Sequence, residues 1–166
     1  MPAELLDGKA IAQTMRTRLR AAREQLGSRP IRLVSVEVGQ NPAAAVYLRN
    51  QQRAAAEVGI EMDARHLPIG TSEAELIAAI GEMNRQPEVA GILVQRPLPP
   101  GIDPRHVQSA IDPHKDVEGM HPANMGAILY RGLSGQPPFR GPLIQVLHAI
   151  AHREPPPPSS LRPEAD

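Results

Sequence analysis

Cysteine and tryptophan are absent from the sequence, and its aromatic side chains are Tyr47, Tyr130 and Phe139. Without cysteine, disulfides, thiolate zinc sites and a cysteine nucleophile are excluded. Leu, Ile, Val, Ala and Met must build the core. A planar ligand has few rings to stack on, which makes Tyr47 a candidate contact. Net charge is also absent: 18 basic and 18 acidic residues cancel, with no long run of one sign. No electrostatic case for a nucleic-acid or membrane partner follows. Lysine is scarce, with 16 of the 18 basic residues being Arg, so a catalytic lysine could only be Lys9 or Lys115. No apolar run approaches the ~18 residues of a membrane span. The start, "MPAELLDGKA", has no basic segment leading into an apolar one. A soluble, cytoplasmic protein is the expectation. Neither glycine-rich phosphate loop, Gly-x-Gly-x-x-Gly or Gly-x-x-x-x-Gly-Lys, occurs. His148 and His152 have helical i, i+4 spacing, but no third ligand or acid stands beside them, and a solvated helix face is the better reading.

What is present has a clear order. Apolar residues at helical spacing run through 4–26, with Gly27 as a stop. "IRLVSVEVG" (31–39) reads as a strand, and Pro42 suits the start of a helix continuing to about Val58. "IEMDARHL" alternates as a strand does. Ser72 and Glu75 have capping-box spacing ahead of a helix carrying Leu76, Ile77, Ile80 and Met83. "VAGILVQ" (89–95) has the continuous apolar character of a buried parallel strand. "RPLPPGIDP" is a rigid turn, 105–111 a short helix, and 112–126 a polar stretch without clear period, closed by "AILY". Strands alternating with helices predict a three-layer α/β/α domain with a short, mainly parallel sheet. Ligands in such sheets bind at the carboxyl ends of strands. "VGQNP", "QRPLPP" and "KDVEG" converge there.

Composition changes near Gly135. Eight of the 19 prolines lie between Pro137 and Pro163, and "PPPP" favours polyproline II. The expected division is a domain over 1–136, a linking segment over 137–152 and a disordered proline-rich tail over 153–166. Two polar features stand out. Gln95 ends a buried strand, where its amide needs a partner or a ligand. "HKD" (114–116) places one of two lysines in a polar loop, as a surface ion pair or a binding loop. Taken from the residues alone, the reading stops at an α/β domain with a small-molecule cleft.

Together the segments "LLDGKAIA", "VGQNPAAAVYLRNQQRAAAEVGI", "LPIGTSEAELIAAIGEMN", "GILVQRPLPPGID" and "IDPHKDVEGMHPANMGAI" carry a resemblance. In this order and spacing they resemble the catalytic domain of the methylenetetrahydrofolate dehydrogenase/cyclohydrolase family, collinearly from about Leu5 to Gly132. The resemblance implies one wall of a cleft, the other being a Rossmann domain that carries NAD(P). It also implies a folate substrate. In the family, 5,10-methylenetetrahydrofolate gives a hydride to the nicotinamide, and the 5,10-methenyl product is hydrolysed to 10-formyltetrahydrofolate. By this resemblance Tyr47 stacks along the folate, and Val94, Gln95, Arg96 and Pro97 line it. Asp116 keeps the loop and counts with Glu118 among the substrate-binding residues, Glu118 occupying the position of the acid that hydrogen-bonds the pterin.

The departures bear on mechanism. Gln51 stands where the family's Tyr-x-x-x-Lys motif has its lysine, which serves mainly the hydrolytic step. Ala44 stands at a usual serine, Glu118 at a usual aspartate and Arg96 at a usual leucine. "PPFRGPLIQVL" takes the place of the family's "P-C-T-P-x-G" hinge, and no cofactor domain is visible after it. Glutamine hydrogen-bonds but does not titrate, and loss of acid–base help costs ~10²–10⁴ in rate. The expectation is impaired cyclohydrolase activity, with dehydrogenase activity dependent on a separate Rossmann-domain chain. The alternative is a non-catalytic folate-binding module or a decayed relic. A wall shaped to face another domain should also expose apolar surface, inviting a homo-oligomer or a partner.

Overall fold

A computed structural model of the protein describes residues 7–28, 30–39, 42–139, 155–157 and 160. The first helix, α1, spans Gly8–Gln25. Its N-cap is Asp7, whose carboxylate accepts from the N–H groups of Lys9 and Ala10. β1 (Arg32–Val38), α2 (Pro42–Glu57), β2 (Glu61–Leu67), α3 (Glu73–Arg85) and β3 (Val89–Val94) follow in alternation. The expected capping box is present in full at α3: Ser72 Oγ accepts from Glu75 N–H, and the Glu75 carboxylate accepts from Ser72 N–H. α4 (Pro104–Ala110) begins on the Asp103 cap.

One element differs from the sequence reading. The polar stretch 112–126 is not aperiodic to its end, because α5 starts inside it and spans Pro122–Ser134. The start signal is an uncommon one. His121 Nδ1 accepts from Ala123 N–H, and Pro122 takes the first helical position, where its missing N–H costs nothing. Gly135 ends the helix at φ 71°, a left-handed conformation that glycine adopts freely. Most of the expected link (137–152) and tail (153–166) lies outside the described residues.

The three strands are parallel and ordered β2-β1-β3. The fold is therefore a small α/β domain, as expected. Alternation along β1 sorts its side chains onto two faces. Val34, Val36 and Val38 enter the main core with Leu76, Ile80 and Met83 of α3 and Val107 and Ile111 of the α4 region. Ser35 and Glu37 point to the other face, both buried. Leu48, Ala55 and Val58, on α2 and just beyond it, are also buried but stand apart from that core.

β1 has β2 on one side and β3 on the other, so the chain leaves these neighbouring strands in different directions. That switch opens a crevice at their carboxyl ends. A short extension closes the far side of β3: Ile92 N–H donates to Lys115 O at 2.7 Å, and Ile92 and Asp116 form a parallel bridge. The 115–118 segment comes so close because residue 91 is glycine. A Cβ there would strike Val117 Cγ1 and lie 2.7 Å from Leu33 Cδ2.

Apolar side chains are left open on two helices. α1 buries none of its residues, and Ile11, Met15 and Leu19 form an exposed stripe. Polar contacts hold it to the end of α2: Arg16 pairs with Glu57 at 3.2 Å, and Arg20 and Arg23 donate to the carbonyls of Glu57 and Gly59. On α5, Met125, Ile128, Leu129 and Leu133 are exposed. The expected apolar surface is thus present. Gly91→Ala should destabilise the domain by about 1–3 kcal/mol through overpacking, read as a lower urea midpoint at unchanged slope; an unchanged midpoint would contradict the close packing of the 115–118 segment.

Candidate functional site

The crevice at the ends of β1 and β3 brings together three polar side chains from three elements. Gln95 directly follows β3 and extends its pairing, donating its N–H to Val36 O at 2.8 Å. Its side chain turns to the α2 face. Gln95 Nε2 donates to Ser35 Oγ at 2.9 Å and to Gln51 Oε1 at 3.1 Å. Gln51 and Gln95 are both half-buried, and Ser35 is fully enclosed. Tyr47 lies one turn before Gln51 on the same face of α2 and is 60% exposed. The helix therefore presents an open ring beside an ordered amide pair. Of these residues only Ser35 escaped the sequence reading. Its signal was available: it is a lone small polar residue within "LVSVEV".

Val94 is buried and contributes to the core, so it reaches the site through its backbone position beside Gln95. Arg96 and Pro97 follow, joined by a cis peptide bond. Arg96 also lines a cavity of about 530 Å³ with Gln108, Met120, Met125, Pro104, Pro122 and Arg105. Few polar atoms line this cavity, which lies beside α4 and the start of α5.

The "KDVEG" loop is built by its own charges. Lys115 Nζ donates to the carbonyls of Met83, Asn84 and Gln86, at 3.0, 2.8 and 2.7 Å. These carbonyls belong to the last turn of α3 and its cap; Met83 O also accepts from Gln86 N–H, and Gln86 O from Val89 N–H. Among the described residues Lys115 of "HKD" makes no ion pair: it closes a helix end. Asp116 has four donors: Gln108 Nε2, Asn124 Nδ2 and the N–H groups of His121 and Glu118. Burial works to raise its pKa, but the donors led by His121 N–H and Asn124 outweigh it and hold the carboxyl below the usual value. Gln108 and Asn124 were not singled out in the sequence, where nothing distinguishes them from surface amides.

Glu118 differs in environment. Loss of water around its carboxyl raises its pKa; the Arg96 guanidinium pulls it back, and the Asp116 carboxylate pushes it further up. Glu118 and Arg96 thus share one local field, which links the loop to the segment after β3. Glu37, two residues beyond Ser35 on the same face of β1, lies with Oε2 2.8 Å from His66 Nδ1. The side chain of Ala44 lies outside the described residues. Among the described residues, no group of three His, Asp or Glu is placed to hold a metal ion, and no helix is long and apolar enough to cross a membrane.

No Gly-x-Gly-x-x-Gly turn of the kind that holds a dinucleotide's phosphates follows any described strand. At the end of β1 the chain passes through Gly39 at φ 77°. A Cβ at Gly39 would strike the Ile69 side chain.

A family model described as tetrahydrofolate dehydrogenase/cyclohydrolase, catalytic domain, matches residues 6–118. A bifunctional protein FolD from Acidiphilium cryptum is 48% identical over 128 residues, covering 77% of this chain and 46% of the relative. A second, from Rhodopirellula baltica, is 43% identical over 162 residues, covering 89% and 52%. Among solved structures, the bifunctional FolD methylenetetrahydrofolate dehydrogenase/cyclohydrolase of Campylobacter jejuni superposes with a TM-score of 0.72 at 37% identity, covering 75% of this chain and 45% of that one. The Trypanosoma brucei FolD, complexed with NADP cofactor and inhibitor, gives 0.69 at 27% identity, covering 91% and 53%. The chain spans about half the length of the curated relatives it matches.

Asp116 supplies a pH test of the loop. Its folded-state pKa lies below the unfolded value of about 3.9. Its stabilisation is therefore present above about pH 4 and lost as pH falls through the lower folded-state value. The Asp116→Asn variant should lose less stability than the parent between about pH 4 and 2, measured by urea unfolding across that range; parallel losses would contradict the loop's dependence on the carboxylate.

Proposed function

Because the chain belongs to the tetrahydrofolate dehydrogenase/cyclohydrolase family through its catalytic domain, we propose that it is a folate-site domain of one-carbon metabolism. Its ligand is a tetrahydrofolate-type molecule, bound in the crevice at the ends of β1 and β3. The observation that carries this reading is the contact between Gln95 and Gln51 beneath an open Tyr47. An exposed aromatic ring next to oriented amides suits a flat, polar-edged ligand such as a reduced pterin with its aminobenzoyl group.

Each residue has a distinct part in this reading. Tyr47 stacks along the ligand. Val94, Gln95, Arg96 and Pro97 form the edge against it, with Gln95 held by Ser35 and Gln51. Glu118 accepts from the pterin's N–H groups, while Asp116 keeps the loop in the shape that presents Glu118. Gln51 marks the reacting end. Its amide orients a ligand or a water but cannot take up or release a proton at neutral pH. The hydrolysis of 5,10-methenyltetrahydrofolate is accordingly weak, and the dehydrogenase reaction depends on NAD(P) held by a separate cofactor-bearing chain. The exposed apolar side chains of α1 and α5 suit a second copy or such a cofactor-bearing chain.

Methenyltetrahydrofolate hydrolysis, followed by loss of its near-ultraviolet absorbance, tests this directly. The wild-type chain should bind tetrahydrofolate yet hydrolyse slowly, and Gln51→Lys should raise the hydrolysis rate by about 10² or more. Fast wild-type hydrolysis unaffected by the substitution contradicts the role given to Gln51. Tetrahydrofolate failing to bind contradicts the folate reading itself and leaves the non-catalytic relic.

A further inference from the structure

The cavity of about 530 Å³ beside α4 and the start of α5 stands apart from the crevice: of the residues that form the crevice, only Arg96 also lines it. Its volume falls in the range of small-molecule sites, which combine apolar walls with a few placed polar groups. Met120, Pro122 and Met125 supply the apolar wall from the loop and α5, and Pro104 supplies it from α4. The frame around it is fixed. Gln108 of α4 and Asn124 of α5 both donate to the Asp116 carboxylate, at 3.1 and 2.9 Å, so one residue ties the two helices together. Asp103 and His121 cap their starts. Within that frame the thioether side chains of Met120 and Met125 adapt to the shape of a guest.

Two polar features of the lining are left open. Gln108 is only 5% exposed, yet it lines the cavity. Its Nε2 gives a hydrogen to Asp116, while its carbonyl oxygen accepts from no described residue and is not sealed from water. A buried amide oxygen is costly to leave unmatched, and a donor on a guest would match it. The charged side chains that line the cavity are both guanidiniums, Arg96 and Arg105, and both are exposed, which places them at the rim. Arg105 is engaged by Asp103 at 3.3 Å. Arg96 has no ion pair among the described residues; the Glu118 carboxylate acts on it only through its field. Neither Asp103 nor Glu118 lines the cavity. An anion at the rim therefore meets positive charge in a planar fork suited to a carboxylate.

We infer that this cavity is a second small-molecule site, for an apolar carboxylate that carries a hydrogen-bond donor at its far end. The carboxylate sits at the rim against Arg96, with Arg105 beside it. The hydrocarbon body lies along Met120, Met125 and Pro104. The donor reaches the Gln108 carbonyl oxygen within. The leucine usual at the Arg96 position could hold no anion, so the site belongs to this chain's own departures. It does not rest on the folate reading of the crevice.

The experiment titrates 8-hydroxyoctanoate, octanoate and octane-1,8-diol into the full 166-residue chain by calorimetry, at one neutral pH and ionic strength. The hydroxy acid should bind at least about fivefold more tightly than the diol, the scale of a charge-assisted hydrogen bond near water, and at least about twofold more tightly than octanoate. Arg96→Leu should abolish the preference over the diol while the diol still binds. Met125→Trp, at an exposed position of α5, fills the cavity and should abolish binding of all three; cooperative urea unfolding shows that each variant is folded. Equal binding of the hydroxy acid and the diol by the wild type overturns the inference. So does octanoate binding as tightly as the hydroxy acid, which removes the part given to Gln108. A preference unchanged in Arg96→Leu, or an affinity unchanged in Met125→Trp, places the guest elsewhere and overturns it. Absence of binding by all three overturns it and leaves the folate reading standing.

Discussion

The chain leaves β1 toward α2 and leaves β3 toward the segment containing Arg96, and every feature of the site depends on that divergence. Parallel strands side by side, with their connections departing to different faces, leave their carboxyl ends uncovered. Only there do a helix and a strand end approach closely enough for Gln51 and Gln95 to meet. Ser35 provides the third point. A small hydroxyl under the helix occupies little room and gives the Gln95 amide a second acceptor, so a residue at the edge of the sheet is fixed from two directions. Replacing such a group by an apolar one leaves a buried amide hydrogen unmatched, which is costlier than the net value of the bond itself.

On the other side of the crevice, charges fasten the loop to the rest of the domain. Lys115 closes the end of α3, where positive charge is favoured by the aligned peptide dipoles. Asp116 gathers donors from α4, α5 and its own loop. Neighbouring residues of opposite charge thus fasten one loop to two different parts of the domain. Glu118, two residues further on, is left with a less satisfied carboxyl and a raised pKa. The division is physical: the Asp116 carboxylate is saturated by hydrogen bonds, whereas that of Glu118 has lost water without gaining donors among the described residues.

Much of this was legible in the sequence. The strand and helix order, the Ser72–Glu75 box and the stop glycines follow from local rules that the structure obeys. Tyr47 and Gln51 could be placed on one helix face by spacing, and Gln95 could be flagged because a polar side chain ended an apolar strand. α5 was hidden because its cap is a histidine and its first turn carries no acid, so the polar stretch before it looked uniform. The use of Lys115 was hidden for a different reason. A lysine 29 residues from the nearest carbonyl it binds has no local signature; only the assembled fold shows where its charge is used. The same holds for Ser35, whose partner lies 60 residues away.

The claim on which the account rests is that Gln51 and Gln95 act as one coupled unit at a ligand site. A double-mutant cycle on tetrahydrofolate affinity measures it most directly, using Gln51→Ala, Gln95→Ala and the pair. The account predicts that the two losses fail to add, with a coupling of about 0.5–1.5 kcal/mol, the range of a single hydrogen bond. Strictly additive losses, or single variants that bind as the wild type does, would contradict it.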